Sequence, residues 1–159
     1  MGWPDFPEHG RWAVSSSADD EQGRSPARDG LDPGQEQPVR LLIVEDDFLI
    51  AMEAEAALTE AGYTILEVAT TAEEAFALAK LHKPALAVMD IRLAGQRDGI
   101  DAAGDLYREL GLHCVFATAH DDQQTRRRAE PYGPLGWLTK PYTMASLVSL
   151  VRAALSKPS

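Results

Sequence analysis

The stretch Arg40-Leu-Leu-Ile-Val-Glu-Asp-Asp47 sets a short aliphatic, β-branched run directly against three acids. Such a run reads as a strand buried on both faces, the kind found in a parallel sheet with helices on either side. Working outward, residues 48–61 are rich in Ala, Leu, Met and Glu and stop at Gly62, the residue expected just past a helix C-terminus. The alternation continues, with strands expected at 64–69, 85–89, 113–117 and 136–139. Thr71 is placed to cap the second helix, with Glu74 at capping-box spacing, and Pro84 ends that helix. Asp98-Gly99 opens a third helix that runs to Leu110 before Gly111; a fourth spans 121–130, broken by Pro131; Thr143 caps a last one running to Leu155. Five strands alternating with five helices imply an α/β, three-layer, doubly wound (βα)5 fold with a parallel sheet; strands one and three are neighbours if the order is the flavodoxin-like 2-1-3-4-5.

The chain has 159 residues, 45% hydrophobic, with 15 basic against 25 acidic side chains and a net charge of −10. An acidic balance disfavours nucleic acid and anionic membrane as partners, since both are polyanions. No apolar run approaches the ~20 residues of a membrane span and no signal-peptide pattern opens the chain, so a cytoplasmic location is expected. Residues 1–38 hold five of the ten prolines and five of the twelve glycines, with eight acidic and three basic side chains and no strand or helix period. They read as a disordered N-terminal tail whose Trp3, Phe6 and Trp12 could anchor a binding motif. Residues 39–157 form the domain. The single cysteine, Cys114, falls in an apolar run and is expected as a buried strand residue.

In a doubly wound sheet, ligands sit at the carboxyl ends of the strands, beside the point where strand order reverses. The polar residues that interrupt this domain fall there: Glu45 and Asp46 after strand one, Asp90 after strand three, Thr118 after strand four and Lys140 after strand five. Three convergent carboxylates repel unless a cation sits among them, and an all-oxygen donor set suits Mg2+. Asp90 is then the natural nucleophile for a phosphoryl group, with metal, Lys140 and the Thr118 hydroxyl stabilising the charge being transferred.

Val44-Glu-Asp-Asp47, Val88-Met-Asp-Ile91 followed by Gly99, Phe116-Ala-Thr-Ala119 and Gly136-Trp-Leu-Thr-Lys-Pro141 together resemble the receiver domain of CheY-like two-component response regulators, over essentially all of residues 39–157. The resemblance implies that Asp90 accepts a phosphoryl group from a histidine kinase or a His phosphotransfer protein. It implies that Glu45, Asp46, Asp90 and the Arg92 backbone carbonyl shape the Mg2+ site, that Thr118 and the Ala119 amide hold phosphoryl oxygens, and that Lys140 pairs with the phosphate. It further implies a switch in which Thr118 moves and Trp137 turns inward, remodelling the face of helix four, strand five and helix five for a downstream protein. Arg92 and His120, two residues after Asp90 and Thr118, would tune how fast the phosphoryl group is gained and lost, and the Lys140-Pro141 peptide is often cis in such domains. On this reading the protein is not an enzyme in the usual sense, catalysing only its own phosphoryl transfer and autodephosphorylation.

The chain departs from the family pattern in its 90–99 loop, one residue longer than the common form and with Ala94 where proline is common. Arg126, Arg127 and Arg128 are consecutive, so on a helix they point ~100° apart; they read as a solvated helix end and not as a nucleic-acid stripe. Tyr132 is a possible partner contact, and His113 a structural residue. Only four residues follow Leu155, so the expected output is that of a stand-alone regulator, by partner binding or onward phosphotransfer. The alternatives are a phosphorylation-independent interaction module on the same fold, and an aspartyl phosphohydrolase, which would want Asp-x-Asp where Glu45-Asp-Asp47 stands.

Overall fold

The computed structural model describes residues 37–157. The tail read from residues 1–38, with its candidate anchors Trp3, Phe6 and Trp12, lies outside the described residues except for Gln37 and Pro38. Strand β1 (Arg40–Val44) is central: it pairs in parallel with β2 (Thr64–Ala69) on one side and β3 (Leu86–Met89) on the other. Strands β4 (Cys114–Thr118) and β5 (Gly136–Thr139) complete a parallel sheet of order β2-β1-β3-β4-β5, the flavodoxin-like order of the expected fold class.

Each strand shares its apolar residues between two cores because successive side chains point to opposite faces. Leu42 and Val44 of β1, Ala87 and Met89 of β3, and Cys114 and Phe116 of β4 enter one core, with α2 (Ala72–His82) and α3 (Gly99–Leu110). Leu41 and Ile43, Leu86 and Val88, and Val115 and Ala117 enter the other, with α1 (Phe48–Glu60) and α5 (Met144–Leu155). This is why these strands read as unbroken apolar runs. Cys114 is buried as expected, and burial pushes its thiol up to about 12, which keeps it unreactive.

The helices start where side chains can satisfy their first amides. Asp47, Asp98 and Thr143 accept from Leu49, Ile100 and Ser146 at 3.0 Å each, and Asp101 returns a bond to the Asp98 amide, closing a capping box. Thr71 caps α2 through the Glu74 amide, but the expected box there is only half formed: the Glu74 carboxylate accepts the Thr70 hydroxyl, at 2.9 Å, and not an amide.

Several boundaries differ from the sequence reading, and α1 ends at Glu60 with Ala61 as its cap. β3 and β4 begin one residue later, at Leu86 and Cys114, so Thr118 is the last residue of β4 and not the first beyond it. Helix α4 spans only Gln123–Ala129, and Pro131 does not end the helical path at once: Glu130–Tyr132 continues as a 3-10 turn, in which an early proline needs no amide, and stops at Gly133. Among the described residues, no helix is long and apolar enough to cross a membrane.

Candidate functional site

The C-terminal ends of β1, β3 and β5 bring Glu45, Asp90 and Lys140 into direct contact. Lys140 Nζ donates to Asp90 Oδ2 at 2.8 Å and to Glu45 Oε2 at 3.0 Å. Asp90 Oδ1 accepts the Ile91 amide at 2.7 Å, and Glu45 Oε1 the Asp47 amide at 3.1 Å. Both carboxylates are buried, whereas Asp46 faces solvent. Burial first, and the negative charge of Asp90 second, push Glu45 up to about 7 against the lowering pull of Lys140 and the Asp47 amide. For Lys140, burial works against the ammonium, but the hydrogen bonds and charges of Asp90 and Glu45 outweigh it, so its pKa lies above the ordinary lysine value.

Glu45, Asp46 and Asp90 can each offer one carboxylate oxygen within 4.8 Å of the others. The donor set is oxygen only, carries excess negative charge and opens to solvent at Asp46; it fits a hard divalent cation that retains water. The carboxylates line a cavity of about 200 Å³ with Asp47, Arg92, Ala119, His120 and Lys140. Thr118, fully buried, does not line it; its hydroxyl oxygen accepts the His120 amide at 3.1 Å. The Lys140-Pro141 peptide is cis.

Two features fix the loop after Asp90. The Ala94 amide donates to Thr70 O at 3.0 Å, a bond that the proline common at this place could not make. At the other end Gly99 N donates to Ile91 O at 2.6 Å, and a side chain at Gly99 would put its Cβ on the Asp90 carbonyl. Glycine there lets α3 start against the Asp90 peptide. Asp98 in turn accepts from Arg128 Nη1 at 2.9 Å, tying α3 to α4.

Trp137 sits away from the cavity. It is paired across the sheet with Phe116, and the two rings stack at 4.5 Å with planes 23° apart. Arg126, Arg127 and Arg128 are exposed in the last turn of α4, as the sequence reading has them, and two of the three also have fixed partners. Arg126 grips Asp121 through Nε and Nη2 and lies over the Trp137 ring, while Arg128 reaches Asp98 and Asp101. Thr139 Oγ1 also donates to Asp121, at 2.7 Å, so the β4–α4 loop is fastened to β5. No sequence motif marks Asp121. Tyr132, offered as a partner contact, is half-buried against the core, and its hydroxyl accepts from Arg108. His113 is structural as expected: a carbonyl can only accept, so its Nδ1 donates to Gly133 O at 2.8 Å.

Comparison with known proteins places this arrangement. Residues 41–152 match the family model described as response regulator receiver domain. The transcriptional regulatory protein PdtaR of Mycobacterium tuberculosis is 38% identical over 120 residues, covering 76% of this chain and 58% of that protein. The phyllosphere-induced regulator PhyR of Methylorubrum extorquens is 34% identical over 138 residues, covering 86% and 48%. The chain thus spans about half the length of these relatives. Among solved structures, the signal receiver domain of a modulated diguanylate cyclase from Desulfovibrio desulfuricans superposes with a TM-score of 0.69 at 34% identity, covering 75% of this chain and 94% of that one. The non-phosphorylated HemR receiver domain from Leptospira biflexa gives 0.70 at 27% identity, covering 77% and 98%.

Proposed function

The chain belongs to the response regulator receiver domain family, and from that premise we propose that it is a phosphoacceptor of a two-component phosphorelay, with Asp90 as the acceptor. The observation that carries this reading is the placement of Asp90: a buried carboxylate held at 2.8 Å by Lys140, in a cavity that also contains Glu45 and Asp46. The donor is a phosphohistidine of a histidine kinase or His phosphotransfer protein. An Asp90 oxygen forms the new P–O bond as the P–N bond breaks, and the imidazole leaves with the electron pair. Lys140 can follow the charge from the carboxylate to the incoming phosphoryl oxygens without leaving the cavity. Thr118 can donate its hydroxyl proton to the same group once its side chain turns, and the Ala119 amide lies beside it.

Glu45, Asp46 and Asp90, with the Arg92 backbone carbonyl, are the residues that would hold Mg2+. When bound, that ion supplies the charge that draws electron density from the phosphoryl oxygens. Arg92 and His120 stand at the cavity wall, where they govern the approach of water to the acyl phosphate. The protein on this reading carries a signal and does not turn over a substrate, apart from its own phosphorylation and dephosphorylation. Its output is binding to a downstream protein, with the α4–β5–α5 face as the surface that changes, or onward transfer of the phosphoryl group.

The test is intact-mass measurement of the wild type and Asp90→Asn after incubation with acetyl phosphate, with and without Mg2+. A single phosphoryl adduct that needs Mg2+ and is absent from the variant is the expected result. No adduct and no turnover would favour the phosphorylation-independent interaction module, and multiple turnover on varied esters a hydrolase.

A further inference from the structure

A second cavity, of about 640 Å³, lies along β2, the edge strand of the sheet, between α1 and α2. Its surface combines two properties. Leu66 and Val68 of β2, Met52 of α1 and Leu78 of α2 make it apolar. Glu55, Glu67 and Glu74 stand along it, and Glu45 and Asp46 lie at the end where it meets the Asp90 cavity. Among the described residues, no lysine, arginine or histidine lines it.

Helix α1 presents Phe48 and Met52 to this groove four residues apart, hence on one face, and they are 73% and 50% exposed. Leu49 beside them is 66% exposed. Large side chains clustered in this way on an acidic rim mark an interaction surface.

Charge decides between possible occupants. A second copy would bring a second set of the same carboxylates to the groove. The N-terminal 38 residues carry eight acidic and three basic side chains, and would also be repelled. A polyanion is disfavoured for the same reason. We propose that the groove docks a lysine- or arginine-bearing amphipathic segment of a partner protein. Its apolar side chains pack on Met52, Leu66, Val68 and Leu78 while its cations meet Glu55, Glu67 and Glu74. This surface does not depend on Asp90 being phosphorylated, so it is tested without a phosphodonor and its failure leaves the phosphoacceptor reading untouched.

The experiment is an amide-shift titration of the full chain with three synthetic peptides: leucine and lysine at helical period, the same peptide with glutamate for lysine, and one with serine for leucine. The leucine–lysine peptide should move the amides of Met52, Glu67 and Leu78 ahead of others, the glutamate peptide should not bind, and the serine–lysine peptide should bind at least about tenfold more weakly. The surface variants Glu55→Lys/Glu67→Lys and Met52→Ser/Leu78→Ser, checked for an unchanged melt, should each lower affinity about tenfold. Shifts centred elsewhere, unchanged affinity in both variants, equal binding of the serine–lysine peptide, or self-association cross-linked through the groove would each overturn the proposal.

Discussion

The Arg126 guanidinium lies 4.9 Å from the centroid of the Trp137 ring, while that ring stacks on Phe116 at 4.5 Å, so the indole is held between a buried aromatic and a cation that Asp121 anchors. Trp137 stands three residues before Lys140, the place from which the family resemblance implies an inward-turning aromatic. In this conformation it is already packed.

Arg126→Ala should therefore loosen Trp137. In a Trp3→Phe/Trp12→Phe background, its fluorescence should shift to longer wavelength and become more open to acrylamide quenching, with a stability loss of about 0.5–1 kcal/mol for an exposed cation–π contact. Arg126→Lys keeps the charge but loses the fork that grips Asp121, and should fall between the two. An unchanged spectrum in Arg126→Ala would mean that Phe116 alone holds the ring.

This clamp shows where sequence reading stops. Strands with unbroken apolar runs were legible because burial on both faces leaves no other pattern, and the meeting of Glu45, Asp46, Asp90 and Lys140 was legible because they follow strands whose ends the sheet topology gathers, whereas Thr118 stays buried behind the cavity. Partners set by loop geometry were not. Three consecutive arginines point in three directions, and whether each meets an acid depends on the path of the chain through Asp121 and on Asp98, 30 residues from Arg128. The Glu74 box fails for a similar reason: the spacing was right, but the Thr70 hydroxyl competes for its carboxylate.

Gly99→Ala tests how tightly α3 is built onto Asp90, the proposed acceptor. The added methyl would meet the Asp90 carbonyl oxygen at 2.0 Å, and that atom is backbone, so the helix start or the Asp90 peptide must move. A loss on the order of 1–3 kcal/mol in urea unfolding is expected from the overpacking, together with slower phosphorylation of Asp90. Gly62→Ala, where the added methyl meets nothing within 4 Å but φ is +104°, should cost backbone strain without touching phosphorylation.

Glu45 gives the metal-free protein a pH dependence of known sign. Its folded pKa of about 7 lies above the ordinary 4.5, so the folded state binds this proton more tightly than the unfolded chain does. The stability it contributes is complete below pH 4.5 and is lost as pH rises towards 7. Urea midpoints in chelator should fall across that window, and Glu45→Gln, which cannot ionise, should flatten the fall. An identical slope in the variant would place the titration elsewhere.

Lys140 and a divalent cation answer the same need, and this makes their effects antagonistic. In the structure Lys140 is the cation between Glu45 and Asp90, with both carboxylates buried and the lysine side chain only 18% exposed. Lys140→Met keeps the apolar stem and removes the charge, leaving two buried acids facing each other. Without metal at neutral pH the variant should lose about 3 kcal/mol, as when one partner of a buried ion pair is deleted. Adding Mg2+ should raise the melting temperature of both proteins, because a ligand that binds only the folded state stabilises it. The rise should be larger in Lys140→Met: in the wild type the lysine already offsets part of the charge that attracts the ion, and the two cations repel. A smaller rise in the variant would mean that Lys140 helps to hold the metal site together and does not compete with the ion for its charge.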